Sequence, residues 1–195
     1  MKKKSYSGYI IGAILILLSI YFIITYNSLV KKDEKVKLQW NEVQNAYQRR
    51  LDLVPNLVNV VQGGAQYEKN TLEKVTQARA QATAVNVSGD ISADKYNQQT
   101  IAQDELAGAA NRLMVSVENY PDLKGTKAFV GLQTQLEGTE RRIKVARKDF
   151  NASIADYNNS VRWFPSNIVA SIFGFHPRNG FQSDAGSDKS VEIKF

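Results

Sequence analysis

The chain has 195 residues, 43% of them hydrophobic, with 25 basic and 19 acidic side chains, a single histidine and no cysteine. Half of the formal charge of +6 comes from Lys2, Lys3 and Lys4, and the remaining lysines and arginines are interleaved with acids and glutamines, which excludes a nucleic-acid surface. The absence of cysteine removes disulfides, thiolate metal sites and cysteine nucleophiles, and one histidine, His176, is too few for a two-histidine metal site and stands beside a proline in the tail, out of place for a histidine-based triad.

From Ser5 to Val30 no residue is charged, and residues 9–26 are almost wholly apolar. As a helix this run covers about 27 Å of the ~30 Å hydrocarbon core, and Asn27, Ser28, Leu29 and Val30 complete the distance at the interface. We expect an uncleaved, single-pass membrane anchor over residues 9–29, after a short basic N-terminus at 1–8, with Tyr9, Tyr21 and Tyr26 as interfacial aromatics. A cleaved signal peptide would have a shorter apolar region, about 7–15 residues, and small residues at a cleavage site. The sequence Ile23-Ile24-Thr25-Tyr26-Asn27 has no such pattern. The lipid bilayer is therefore the first expected partner. Lysines stand on both sides of the run, with Lys31, Lys32, Lys35 and Lys37 after it, so the positive-inside rule does not select the side of the soluble part.

Beyond the anchor the apolar spacing is helical. Val36, Trp40, Val43, Tyr47, Leu51 and Val54 recur three or four apart, and Leu57, Val58 and Val61 extend the stripe. Pro55 removes a backbone hydrogen bond and crowds the preceding turn, which predicts a kink or break near Leu53-Val54. Gly63-Gly64 is a second breaker. A further amphipathic segment runs from Ala65 through Leu72, Val75 and Ala78 to about Ala84, followed by a loop at Asn86-Val87-Ser88-Gly89-Asp90. Ser92 then reads as the N-cap of a helix that reaches Tyr120, with Tyr96, Leu106, Ala109, Leu113, Val117 and Tyr120 inward and a turn at residues 121–126.

The most regular segment follows. Phe129, Leu132, Leu136, Ile143, Ala146, Phe150, Ile154, Tyr157, Val161 and Phe164 alternate three and four apart until Pro165, which makes a helix of about 55 Å. Outward pairs at Glu137 and Arg141 and at Glu140 and Lys144 stand four apart in the favourable order, worth about 0.2–0.5 kcal/mol each.

These segments predict an all-α fold, an N-terminal transmembrane helix followed by an elongated antiparallel up-and-down helical bundle over residues 30–165. A reversal at Pro55 or at Gly63-Gly64 gives four helices and returns Phe164 to the membrane side. A kink alone gives three long helices and leaves Phe164 far from it. Four is the preferred arrangement, because an unbroken helix from Val30 to Ala84 would overhang its partners. Residues 166–181 hold the apolar set Ile168, Val169, Ile172, Phe173 and Phe175. They read either as a cap over the open end of the bundle or as an interfacial membrane or partner contact. Residues 182–195 have the composition of a flexible tail.

Three dense blocks give the chain a recognisable pattern: Arg49-Arg50-Leu51-Asp52-Leu53-Val54-Pro55-Asn56-Leu57-Val58, Glu118-Asn119-Tyr120-Pro121-Asp122-Leu123-Lys124, and Leu136-Glu137-Gly138-Thr139-Glu140-Arg141-Arg142-Ile143. With Ala146-Arg147, Asn151, Tyr157-Asn158 and Phe164-Pro165, the chain from Tyr26 to Phe181 resembles the LemA family of bacterial membrane proteins. The resemblance implies a single-pass N-terminal anchor, an all-helical bundle and no established enzymatic activity. At Gly64, Tyr67 and Asn70 the chain departs from the tyrosine, histidine and glutamate of a typical member, so no role resting on that histidine carries over.

The polar residues of these blocks are Arg49, Arg50, Asp52, Asn56, Thr139, Glu140, Arg141 and Arg147. We read them as structural, pairing between helices to fix register, because a buried charge persists only when it is paired and hydrogen-bonded. The competing reading makes them a polar site for a partner or an anionic lipid head group. No catalytic, cofactor-binding or metal-binding set stands out: carboxylates on helix faces are ordinary ion-pair partners, and Gly63-Gly64 lacks the lysine of a phosphate loop. The sequence therefore points to a non-catalytic, membrane-anchored scaffold or interaction module of the bacterial envelope. It would form a homo-oligomer or hold other envelope proteins. The alternative is a lipid-sensing or lipid-binding envelope protein that uses the bundle end and the apolar C-terminal segment.

Overall fold

A computed structural model describes residues 7–63, 69–85 and 93–181. Its elements are all helical: α1 (Ser7–Gln62), α2 (Lys69–Ala84), α3 (Ala93–Ser116), a 3-10 turn (Val117–Asn119), α4 (Pro121–Lys124), α5 (Lys127–Arg162) and α6 (Ser166–Ile172). The chain divides into two compact units, Met1–Gln39 with Ala152–Arg178, and Trp40–Asn151 with Asn179–Phe195. The division cuts across α1 and α5 rather than falling where the composition changes.

The second unit is a four-helix antiparallel bundle. Gln44 exchanges amide hydrogen bonds with Gln99, and Arg50 reaches Gln103, so α3 runs in the direction of α1. Arg50 also meets Glu140 while the Trp40 ring packs on Phe150, so α5 runs the opposite way. The stripe read from the sequence is the core: Val43, Tyr47, Val54, Leu57 and Val61 of α1, Val75 and Ala78 of α2, Leu106, Ala109 and Leu113 of α3, and Phe129, Leu136 and Ile143 of α5 are all buried. Two residues assigned to the apolar stripes, Tyr120 and Phe164, are not buried. Tyr120 is 36% exposed, because the tighter 3-10 turn at Val117–Asn119 takes the chain off the α-helical register. Pro121 then starts α4 at the position where a missing N–H costs nothing, giving one turn of helix where the sequence suggests a plain turn. Asparagine 86 to Asp90, the Ser92 cap, Gly64, Tyr67 and the tail beyond Phe181 lie outside the described residues.

Of the kink or break expected near Leu53-Val54, the break does not occur: α1 continues through Pro55 to Gln62, and the reversal comes after Gln62, where the second expected breaker begins. A proline at position 55 leaves the Leu51 carbonyl, four residues earlier, without its helical donor. Arg79 of α2 supplies a substitute, its Nε donating to Leu51 O at 3.1 Å, and the helix continues because the orphaned acceptor is satisfied from outside. Replacing Arg79 with alanine should therefore cost about 1 kcal/mol. In a Pro55→Ala background, where residue 55 regains its own N–H, the same replacement should cost less. Equal losses in the two backgrounds, measured by chemical denaturation as a double-mutant cycle, would contradict this account of Pro55.

The first unit joins the N-terminal part of α1 to the end of α5 and to α6. Near its N-terminus α1 reaches a mean hydropathy of 2.4 over 18 residues, with Ile10, Leu17, Ile23 and Ile24 exposed, and it is a candidate membrane anchor. Towards Gln39 the same helix becomes a packed element, with Leu29 and Val36 buried, as are Ile154, Tyr157 and Val161 of α5 and Val169 and Ala170 of α6. Lys32 pairs with Asp156 at 2.7 Å and Arg178 with Asp33 at 2.8 Å. Asn158 clasps the backbone of Arg178 from both sides, its Nδ2 donating to the carbonyl at 2.7 Å and its Oδ1 accepting from the N–H at 2.8 Å. The last helix stops at Gly174, whose φ of +75° is a left-handed conformation suited to glycine, and Phe175 N–H closes the end by donating to Ala170 O. Val169 is core rather than a contact for membrane or partner. Phe164 is 81% exposed, since α5 ends at Arg162 and the residue before Pro165 leaves the helical register.

Candidate functional site

The polar residues of the sequence blocks converge on Arg50, whose side chain is 2% exposed. Its position follows from the heptad-like stripe: residues 47, 50, 51 and 54 share the buried face of α1, so the arginine that stands between Tyr47 and Val54 is carried into the interior while Arg49 is carried out. Burial of a guanidinium requires that its donors be met. Nε and Nη2 donate to the two oxygens of Glu140 at 2.8 and 2.5 Å, and Nη1 donates to the backbone carbonyl of Gln103 at 2.8 Å and to its Oε1 at 3.2 Å. This fork-to-carboxylate geometry is the strongest form of side-chain pairing. It ties α1, α3 and α5 together at one level. Thr139, beside Glu140, is buried and donates to Gln135 O at 2.8 Å.

The remaining residues of the set disperse. Arg49 is exposed and donates to Gln135 Oε1 at 3.0 Å. Asp52 accepts from Gln48 one turn earlier, and Asn56 and Arg141 face outward. Glu140 turns to Arg50 rather than to Lys144, and Glu137 accepts from Gln133 at 3.1 Å. Arg147 belongs to a second cluster: it lies 3.7 Å from Asp104 and 4.7 Å above the Phe181 ring.

That second cluster is aromatic. The Trp40 ring centroid is 5.3 Å from Phe150, 5.6 Å from Tyr96 and 5.9 Å from Phe181, and Phe150 is 5.3 Å from Phe181. Phe181 is held there by Asn151, which accepts its N–H at 2.8 Å and donates to its carbonyl at 3.1 Å, while the Tyr96 hydroxyl donates to Asn179 O. Gln103, Arg79 and Phe181 escape a reading of the sequence. The signal for Gln103 was present, a glutamine three residues before Leu106 on the buried face of α3. Nothing local marks the other two, since their partners lie far away along the chain.

A cleft of about 520 Å³ opens beside the arginine, with Arg50, Gly108, Asn111, Met114, Glu140 and Arg141 among its lining residues. Arg50 is committed to Glu140, and the rest of the charged lining mixes signs, Arg141 and Lys144 with Glu137. Burial raises the Tyr47 phenol above its ordinary range, with the Arg147 cation opposing the shift. Tyr157 is raised for the same reason, reinforced by the Asp33 carboxylate and opposed by Arg178. Both phenols are therefore neutral at ordinary pH and offer no base. Among the described residues no three histidine, aspartate or glutamate side chains gather where a metal ion could be held.

Comparison with known proteins places this architecture. Magnetosome protein MamQ of Magnetospirillum gryphiswaldense is 27% identical over 201 residues, covering 92% of this chain and 74% of the relative. Magnetosome protein MamQ 2 of Paramagnetospirillum magneticum is 26% identical over 184 residues, covering 85% and 68%. Protein LemA of Metamycoplasma hominis is 25% identical over 144 residues, covering 74% and 63%. The model of the LemA family matches residues 39–195, a stretch that contains the arginine pair, the aromatic cluster and all of α2 to α6. The chain belongs to the LemA family.

Proposed function

We propose that this protein is a non-catalytic scaffold of the bacterial envelope, tethered by a single N-terminal span, whose bundle associates with a second copy of itself or with another envelope protein through the outer face of α5. The observation that carries the reading is the openness of that face. At Gly131 and Gly138 an added Cβ would have no neighbour within 4 Å, and Val130 and Val145 are 49% and 57% exposed. Positions 131, 138 and 145 repeat at seven residues, the period of a helix that accepts a partner helix along one seam. The Arg50 pair supports the same conclusion from the other side, because it commits the most deeply buried charge among the described residues to holding helices together.

The cysteine-free sequence permits a direct test. A single Val145→Cys substitution in the full chain, oxidised in intact membranes, should give a disulfide-linked dimer, and Gly138→Cys, one heptad earlier, should do the same. A monomer alone at both positions would refute self-association through this face.

A further inference from the structure

We infer that the turn after α5 and helix α6 form an interfacial foot that enters the bilayer next to the C-terminal end of the anchor, so that the first unit touches the membrane at two places. Trp163 is 68% exposed and Phe164 81%, while Ile168, Ile172 and Phe173 also present their side chains to the outside. Five large apolar residues within eleven positions of the chain are a patch that a water-facing surface rarely carries. They are not a failure of folding. Val169 and Ala170 of the same short helix are buried, and Ser166 Oγ ties its start to Ser160 O and Trp163 O, so the exposed set is the outward half of an ordered element.

What covers this patch follows from its position. The Phe173 ring lies 4.7 Å from Tyr26 and the Phe175 ring 5.9 Å from it, and Tyr26 is the residue that closes the apolar run of the anchor. Thr25 and Leu29, one on either side of Tyr26, are already buried within the unit. The patch is thus continuous with the surface that a spanning helix presents to lipid. Its composition is that of the interfacial layer, where tryptophan and other aromatic rings gather at head-group depth. Arg162 and His176, which flank the patch in the sequence, and Lys31, just after the apolar run of α1, are exposed and are groups able to meet phosphates. A lipid surface satisfies all of these features together. The inference rests on α1 being a membrane span and is independent of self-association through α5.

The chain carries its own probe. Of its two tryptophans, Trp40 is 3% exposed and Trp163 68%, so the emission lost on Trp163→Phe isolates the foot. The full chain is reconstituted into vesicles of phosphatidylethanolamine and phosphatidylglycerol, in which lipids brominated at shallow or at deep acyl positions replace part of the bilayer. The Trp163 component should be blue-shifted, shielded from iodide and mostly quenched by the shallow bromines, with weaker quenching by the deep ones. In an Ile168→Asp/Ile172→Asp variant, which alters exposed positions alone, that quenching should fall by more than half. Trp163 emission that stays red, open to iodide and indifferent to brominated lipid, in protein that resists alkaline carbonate extraction, would overturn the foot and leave the anchor intact. Release of the protein by carbonate would overturn both, and would be distinct from a failure of the Val145→Cys dimer.

Discussion

Truncation of Phe150 to alanine is expected to cost about 3–5 kcal/mol, the range for removing a fully buried aromatic that cannot be replaced by local collapse. Phe150 is fully buried and touches the rings of Trp40, Tyr96 and Phe181, which come from α1, α3 and the segment after α6, so one side chain serves three separate parts of the second unit. Edge-on and tilted ring pairs add about 0.5–1.5 kcal/mol beyond their buried area. Chemical denaturation in detergent, followed by the near-ultraviolet circular dichroism of Trp40, would check the value. The Trp40 signal should collapse in the native state of this variant as well, because its ring loses a packing wall. A loss below about 1 kcal/mol would contradict the placement of Phe150 at the centre of the cluster, since such small values belong to surface positions.

Removing Glu140 comes second. Glu140→Ala leaves the Arg50 guanidinium buried with only Gln103 to receive its donors, and breaking a buried pair from one side costs about 3–5 kcal/mol. The lower end applies, because Glu140 keeps 40% of its side-chain surface in solvent and water can enter where its carboxylate stood. Replacing both partners is predicted to behave differently. Arg50→Met with Glu140→Leu removes the unmet charge along with the pair, and exchanges of this kind are commonly neutral or stabilising. The two variants should therefore separate widely in the same denaturation series. Equal losses would mean that the pair is valued for its own attraction rather than for the avoidance of an unpaired buried charge.

The bundle was legible because its helices are long and their apolar residues keep one period. Val43, Tyr47, Val54 and Leu57, or Leu136, Ile143 and Phe150, announce a buried face through local spacing alone. The failures occur where a long-range partner overrides a local rule. Pro55 reads as a kink or break because its effect on the preceding turn is local, and the break is absent where the Arg79 guanidinium, from 28 residues away, meets the Leu51 carbonyl. Phe164 and Tyr120 fit the stripe by count and leave it because a helix end and a 3-10 turn change the residues per turn just before them. The burial of Arg50 explains why it, rather than the adjacent Arg49, is the interior member that meets Glu140. The split within residues 166–181 was beyond the sequence: Val169 and Phe181 go inward while Ile168, Ile172 and Phe173 remain out, a division that local spacing does not carry.

Arg50 and Glu140 tie the helices of the bundle together, and the proposed role leaves association with a partner to the outward face of α5. The most direct test joins Arg50→Met and Glu140→Leu to Val145→Cys in the full chain and follows both unfolding and disulfide formation in membranes. The account predicts a folded protein of near-unchanged stability that still cross-links at position 145 as the singly substituted chain does. A stable, fully helical protein that no longer cross-links would show that Arg50 and Glu140 act in the association itself, and would contradict it.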